Sequence, residues 1–418
     1  NHATQSIAAN RPILKGSKRF HGKRAVNLSN ASTGATASRF LEIPTSLATA
    51  RTNLTVFVVY SSGGGLANGT AIMGLGTGTG AADGFTLTTS NNASPSTDRY
   101  GGLGIVDSAF AGERGRQPSV GRLNVLSTQI TATSRRAVVA DNVLNQTGQT
   151  ITPADLTGGY IGKGPWSTAN FGCGDIAAVL VYPALSDADV ATITAFLATR
   201  YNTIRTADYS DQVIGVGDSI MAGTDAYQEN FLYQVQESGG LAFPVYTRDF
   251  GIGGRTSAQC YTNRAHYGSA WVSGLNRNIY WLHIGTNDIY NLVSGSIVGG
   301  ESGIYTNITN LVTYFKGLNA SIRVVVNTVI PRFWPGTTTD RGERETVRLN
   351  LNTLIRDGAA ANGYIINDLA AVSGFGPTDA QGTPVSTHYY ADNTHLLASG
   401  YALYRDSSVT ALNTALST

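Results

Sequence analysis

Charged side chains are scarce. Asp, Glu, Lys and Arg together make up 13% of the 418 residues, about half the share usual in a soluble domain. Glycine, serine, threonine, asparagine and alanine fill the space they leave. That balance argues against a helical surface laced with ion pairs and suits a β-rich extracellular or particle-associated protein. The net charge of +2 says little about partners, but its distribution says more: residues 1–206 hold 17 lysines and arginines against 10 acids, and residues 207–418 hold 12 against 17. Cysteine is almost missing too. Cys173 and Cys260 fall in different halves, with no metal-ligand spacing around either, so no structural metal and no cofactor are expected, and two separate buried thiols rather than a bridge. Long apolar runs are also lacking. No stretch approaches the roughly 20 apolar residues that cross a bilayer, so neither membrane insertion nor a nucleic-acid partner is expected. The chain opens on Asn1 with no basic-then-apolar leader, as a mature or processed form would. Eight Asn-x-Ser/Thr sequons, from Asn27 to Asn319, matter only in a glycosylating host.

A chain of this length exceeds the size at which one core usually stops growing, so two domains are expected, at 1–206 and 207–418. The first opens with a basic cluster, Lys15, Lys18, Arg19, Lys23 and Arg24. Short β-type runs then alternate with turn residues: 54–60, 70–75, 84–89, 103–106, 123–130, 136–141 and 175–182. This spacing predicts an antiparallel sandwich. A helix follows through Tyr201, with Ser186 suited to the N-cap and Asp187 and Asp189 to its first turn. Beyond a polar linker, 205–211, strands expected at 213–218, 244–249, 279–285, 322–329 and 363–367 alternate with helices near 228–238, 302–317, 341–360 and 398–414. Such alternation predicts a parallel sheet covered on both faces.

The second half is organised around Val213-Ile214-Gly215-Val216-Gly217-Asp218-Ser219-Ile220, an apolar run ending in a glycine, an acid and a serine. A polar tripeptide at the carboxyl end of a buried strand sits where open α/β sheets bind ligands, and Ser219 is the candidate nucleophile. A serine hydroxyl needs a base, a group to orient that base and donors for an oxyanion. Three further blocks at strand ends offer them: Asp249-Phe250-Gly251-Ile252-Gly253-Gly254-Arg255-Thr256, Gly285-Thr286-Asn287-Asp288 and Asp392-Asn393-Thr394-His395. Asp218 and Asp288 read as structural, His283 as a core histidine within a strand, and His266 and His388 as lacking a partner signature.

The ordered set GDS, GxxG, GTND and DxxH resembles the SGNH, or GDSL-type, hydrolases over residues 211–418. The resemblance implies a three-layer αβα sandwich with a parallel, flavodoxin-like sheet, and a serine esterase that needs no cofactor. It implies that Ser219 attacks, His395 is the base and Asp392 orients it, with an oxyanion hole of the Ser219 N–H, the Gly254 N–H and the Asn287 side chain. The family usually has asparagine where this chain has Asp249, which we expect to be held by backbone donors. Gly254-Arg255-Thr256-Ser257 is similar to a segment of the branch that deacetylates pectin-type polysaccharides, which makes Arg255 a candidate substrate contact; a surface ion pair is its alternative. In the first half, Gly159-Tyr160-Ile161-Gly162-Lys163, residues 171–182 and Leu185-Ser186-Asp187 resemble the closing strands and helix of concanavalin-like, laminin-G-like jelly-roll sandwiches. Members of that fold bind glycans or pack against a catalytic partner.

The expected function is removal of short acyl groups, above all acetyl, from an acylated polysaccharide or glycan by a secreted or virion-associated enzyme, with homo-oligomeric assembly compatible. Aromatic residues near Trp334-Pro335-Gly336 and Tyr389-Tyr390 are expected at the rim of the cleft, where rings stack on sugars. The rivals are a lipase or thioesterase for longer acyl chains, and a fibre adhesion protein that uses the fold to bind glycans.

Overall fold

The computed structural model of the chain describes residues 210–223, 230–237 and 245–418, and in the first half chiefly the strands and helix given below. Cys173, the side chains of the basic cluster at 15–24 and the linker at 205–209 lie outside the described residues. The chain divides into two compact units, the first of residues 1–208 and 225–227 and the second of residues 209–224 and 228–418.

The first unit contains β1 (Ile13–Gly16), β2 (Arg24–Asn27), β3 (Leu41–Ile43), β4 (Leu54–Ser62), β5 (Ala71–Gly76), β6 (Gly84–Thr88), β7 (Gly104–Val106), β8 (Asn124–Ile130), β9 (Ser134–Val139), β10 (Asn142–Thr147), β11 (Gly159–Ile161) and β12 (Gly174–Pro183). They form two antiparallel sheets, in the orders β1-β2-β12-β4-β8-β9-β10 and β3-β11-β5-β6-β7. The run expected at 136–141 is the end of one strand and the turn into another, since Val139 pairs with Asn142 across a β9–β10 hairpin. Strands β1, β2, β3 and β11, of three or four residues each, are too short to show alternation. In β4 every residue from Leu54 to Tyr60 is buried. Helix α1 (Asp187–Tyr201) covers one face, where Val190, Leu197 and Ala198 close over Phe57 and Val59; burying such a side chain contributes about 1.5–3 kcal/mol. Ser186 caps α1: its Oγ accepts the Asp189 N–H (3.2 Å) and donates to Asp189 Oδ2 (2.6 Å).

The second unit is built on a five-stranded parallel sheet, β13 (Asp211–Gly217), β14 (Tyr246–Gly251), β15 (Arg277–His283), β16 (Ile322–Asn327) and β17 (Ile365–Asn367), in the order β14-β13-β15-β16-β17. All seven residues of β13 are buried, as a strand covered on both faces requires. The strand starts earlier than its apolar run because Asp211, read as linker, is buried and pairs with Arg277 at 3.2 Å. Adjacent residues of β15 show the two faces. Tyr280 stacks on Phe315 of α7 (Glu301–Leu318), with ring centroids 3.9 Å apart. Trp281 stacks on Phe231 of α3 (Phe231–Glu237) and donates its indole N–H to the Tyr404 hydroxyl of α9 (Ala398–Ser417), at 3.0 Å. Helix α8 (Thr338–Asn362) packs beside α7. The four expected helices are present, three with longer ends and α3 shorter than the expected 228–238, and four short helices join them: α2 (Ser219–Ala222), α4 (Ser257–Thr262), α5 (Arg264–Gly268) and α6 (Thr286–Tyr290). The chain crosses from β13 to neighbours on either side, and at such a switch point the loops beyond the strand ends diverge and leave a crevice. No helix among the described residues is long and apolar enough to cross a membrane.

Candidate active site

Ser219 begins α2 directly after β13. Only glycine fits at 217, because a Cβ there would lie 2.2 Å from the His283 carbonyl oxygen of the neighbouring strand. Asp218 is the N-cap: its Oδ1 accepts the Ile220 N–H at 2.9 Å. This fixes the corner on which Ser219 stands. Asp218 is fully buried, its Oδ2 has no partner among the described residues, and burial pushes its carboxyl up to about 7.

His395 and Asp392 come from a tight turn ahead of α9. The turn is closed by Tyr390 N–H to His395 O (2.9 Å) and Asn393 N–H to Tyr390 O (2.8 Å), and Asn393 takes a left-handed conformation, φ 51°, which asparagine tolerates better than most residues. Asp392 Oδ1 accepts the backbone N–H of Thr394 (2.9 Å) and of His395 (3.1 Å), and its Oδ2 faces His395 Nδ1 at 2.6 Å. Burial works to raise the Asp392 carboxyl, but the bonds from the imidazole and the two backbone donors outweigh it and hold it below its usual range. An ionised carboxylate only accepts, so Nδ1 carries the proton and Nε2 is left as an acceptor. Nε2 lies 2.9 Å from Ser219 Oγ, whose hydroxyl donates to it. The turn is tied to the serine through α9 as well: the Tyr401 hydroxyl donates to Ile220 O at 2.8 Å.

The second block passes over the serine. Ile252 N–H donates to Gly217 O (3.0 Å), a turn closes from Arg255 N–H to Ile252 O (3.2 Å), and Gly254 has φ 77°, a value that favours glycine. A Cβ added at Gly253 would lie 3.9 Å from the Ser219 Cβ. Asn287, in the first turn of α6, donates from Nδ2 to Arg255 O at 3.1 Å. The backbone N–H groups of Ser219 and Gly254 have no partner among the described residues. Asp288 accepts from the Ser257 N–H and hydroxyl, the latter at 2.6 Å, and so joins α6 to α4. Arg255 is only 8% exposed.

Asp249 is held by a backbone donor, as expected, and by a side chain as well. One backbone donor, Gly251 N–H, reaches its Oδ1 (2.7 Å), but Oδ2 accepts from the side chain of Asn230 (2.7 Å). Burial raises this carboxyl to about 7 against both hydrogen bonds, whereas an unfolded aspartate titrates near 4. Between those values the folded state holds the extra proton, so this group's contribution to stability falls as pH rises from about 4 to 7. Asp249→Asn removes the slope. Its unfolding free energy in urea should gain on the wild type by about 2–3 kcal/mol between pH 5 and pH 8. Parallel pH profiles for the two proteins would exclude a raised Asp249.

Three other histidines of the second unit lie outside the triad. His283 is buried beneath α9, with Nδ1 2.9 Å from the Tyr404 hydroxyl, and burial lowers its pKa to about 3, so it stays neutral. His266 packs edge-on against Phe250, and His388 lies 3.4 Å from the Ser399 hydroxyl. Cys260 is a free, buried thiol pushed up to about 12 by burial.

Two aromatic residues expected at the rim are instead packed inside. Trp334 is fully buried and donates its indole N–H to Glu345 (3.2 Å), and Tyr389 is 3% exposed. Among the described residues of the second unit the exposed rings are Tyr290 (41%) and Phe333 (44%), with the Arg332 guanidinium over Tyr290 at 4.4 Å. Sequence reasoning passed over all three, since no motif marks them. The one available signal was position: Tyr290 lies three residues past Asn287, and Arg332 and Phe333 lie just beyond a strand end.

Residues 216–403 match the GDSL-like Lipase/Acylhydrolase family, a span that contains all four blocks. Among solved structures, the chain is similar to a lipolytic G-D-S-L family member from Veillonella parvula (16% identity, 48% of this chain and 97% of that one, TM-score 0.37). It is also similar to a GDSL-like lipase from Bacteroides thetaiotaomicron (18%, 54% and 98%, 0.38) and a variant of an acetyl-xylooligosaccharide esterase from Geobacillus (14%, 49% and 94%, 0.36). No curated protein matches significantly. Over residues 216–403 the chain is thus similar to the GDSL-like lipase/acylhydrolase family, a likeness that supports a carboxylic ester hydrolase.

Proposed function

We propose that the protein removes short acyl groups, above all acetyl, from a carbohydrate by a serine mechanism. The observation that carries the mechanism is the unbroken line from Ser219 Oγ through the imidazole to Asp392, at 2.9 and 2.6 Å. In this reading His395 Nε2 takes the hydroxyl proton as Ser219 Oγ bonds to the ester carbon, and Asp392 stabilises the imidazolium. The carbonyl oxygen becomes an oxyanion facing the Ser219 and Gly254 N–H groups and the second N–H of the Asn287 amide, whose first is spent on Arg255 O. Collapse expels the alcohol, which takes the proton from His395. Water then attacks the acyl-enzyme, giving its proton to His395, and the Ser219 oxygen leaves with that proton to restore the resting site. Nothing in these steps calls for a cofactor.

The sugar half of the reading rests on the exposed Tyr290 and Phe333 rings and on the first unit, which we read as a concanavalin-like sandwich that holds glycan or serves assembly on a secreted or virion-borne particle. The test is acetate release from a panel of acetylated polysaccharides, run beside p-nitrophenyl acetate and p-nitrophenyl octanoate. Release from a polysaccharide, with acetate preferred over octanoate, is the expected result. A preference for octanoate would point to a lipase, and no turnover of any ester would leave a glycan-binding scaffold.

A further inference from the structure

The guanidinium of Arg332 is placed beside the site from two directions. Its loop leaves β16, and the next residue, Phe333, donates its N–H to Asn393 O (2.9 Å), which fastens the loop to the Asp392–His395 turn. On the other side it lies 4.4 Å from the Tyr290 ring centroid and 5.8 Å from that of Trp334. Tyr290 is three residues beyond Asn287 in α6, so the two side chains are neighbours on one helix face. The cation therefore sits between the amide we place at the oxyanion and the carboxylate we place behind the histidine.

It is also unspent. Among the described residues Arg332 makes no hydrogen bond or ion pair, and its Nε is buried without a partner. Other arginines of this unit are engaged: Arg344 with Pro335 O and Leu292 O, Arg348 with Glu345 and Val329 O, Arg356 with Asp368. A guanidinium half-removed from water and stacked on rings, with no anion to bond, has unmet donors in a fork that matches a carboxylate. Asp218 and Asp392 act on it only through space. The charge of the ionised Asp392 disfavours a dianion such as a phosphate monoester nearby, and leaves a single negative charge as the better fit. Arg255, at 8% exposed, offers a ligand far less than Arg332 with its half-open neighbours Tyr290 and Phe333.

We propose that Arg332 and Tyr290 form a subsite for the carboxylate of an acidic sugar, so that the esters presented to Ser219 belong to uronic-type carbohydrates. This rests on the ester hydrolase reading for its chemistry, but the binding is separable from it. In Ser219→Ala, which removes turnover as a complication, calorimetric titration should show an acetylated oligogalacturonate binding at least about tenfold tighter than an acetylated xylo-oligosaccharide. Adding Arg332→Gln should abolish that preference, while Arg332→Lys, which keeps the charge but not the fork, should retain part of it. Equal binding of the two sugars in Ser219→Ala, or an equal loss for both with Arg332→Gln, would overturn the subsite. Preferential binding of the acidic sugar by a wild type that cleaves no ester would uphold the subsite and sink the hydrolase reading.

Discussion

Ser219→Ala should lower kcat on p-nitrophenyl acetate by roughly 10⁴–10⁶-fold with its thermal midpoint unchanged. The size follows from the chemistry: without Oγ no covalent intermediate forms, and what survives is water attack aided by the oxyanion donors, which retain about 10³–10⁴ over the uncatalysed reaction in comparable sites. The stability side follows from the geometry. Among the described residues Ser219 Oγ bonds only to His395 Nε2, and the His395 side chain is 35% exposed, so water replaces the lost partner and no buried group is orphaned. The corner itself is held by Asp218 and Gly217, which the substitution leaves alone. Activity within tenfold of wild type would remove Ser219 from the mechanism, whereas a lowered midpoint would mean that the loss reports folding.

Asp392→Asn should cost about 10³–10⁴ in kcat and, more tellingly, at least as much as Asp392→Ala. The carboxylate serves three donors: two backbone N–H groups on Oδ1 and the imidazole on Oδ2. An asparagine that keeps the backbone bonds turns its NH₂ toward Nδ1, which must then be an acceptor, so the proton moves to Nε2 and the ring donates to Ser219 when it should accept. Alanine imposes no such tautomer. Since the Asp392 side chain is 49% exposed, water can accept from Nδ1–H in its place. Measuring kcat for both variants at one pH decides the matter: an alanine variant ten times worse than asparagine would show that Asp392 acts by bracing the turn.

Much of this was legible because strand ends announce themselves. An apolar run that stops at a glycine must leave the sheet there, and such stops carried three of the four blocks; the fourth, Asp392–His395, was expected at a strand end but lies in the turn ahead of α9. The Asp392–His395 spacing could be read because a three-residue separation lets an acid fold back on its own turn. The short helices α2, α4 and α6 were hidden, since four to six residues show no period. The direction of loop side chains was hidden too. Trp334 and Tyr389 turn inward because Trp334 finds a buried acceptor in Glu345, eleven residues along the chain, while Phe333 beside it turns out. Asp249 shows the same limit: its partner Asn230 lies across a chain crossing that no local pattern records. In the first half β10 (Asn142–Thr147) went unread, because the run expected at 136–141 stops where that strand begins.

Ser219 and His395 stand 176 residues apart in sequence, yet touch. A parallel sheet offers no hairpin to shorten that path, since every strand must wait for a crossover before it can pair. Helices α7 and α8 can form early from local contacts, but the serine and the imidazole meet only after the chain has closed a loop of that length, at the entropic cost such closure carries. Helix content will therefore return before enzymatic competence during refolding. Partly folded chains, however ordered, hold an inert hydroxyl, so turnover in this molecule is a late signal that the whole sheet has been completed.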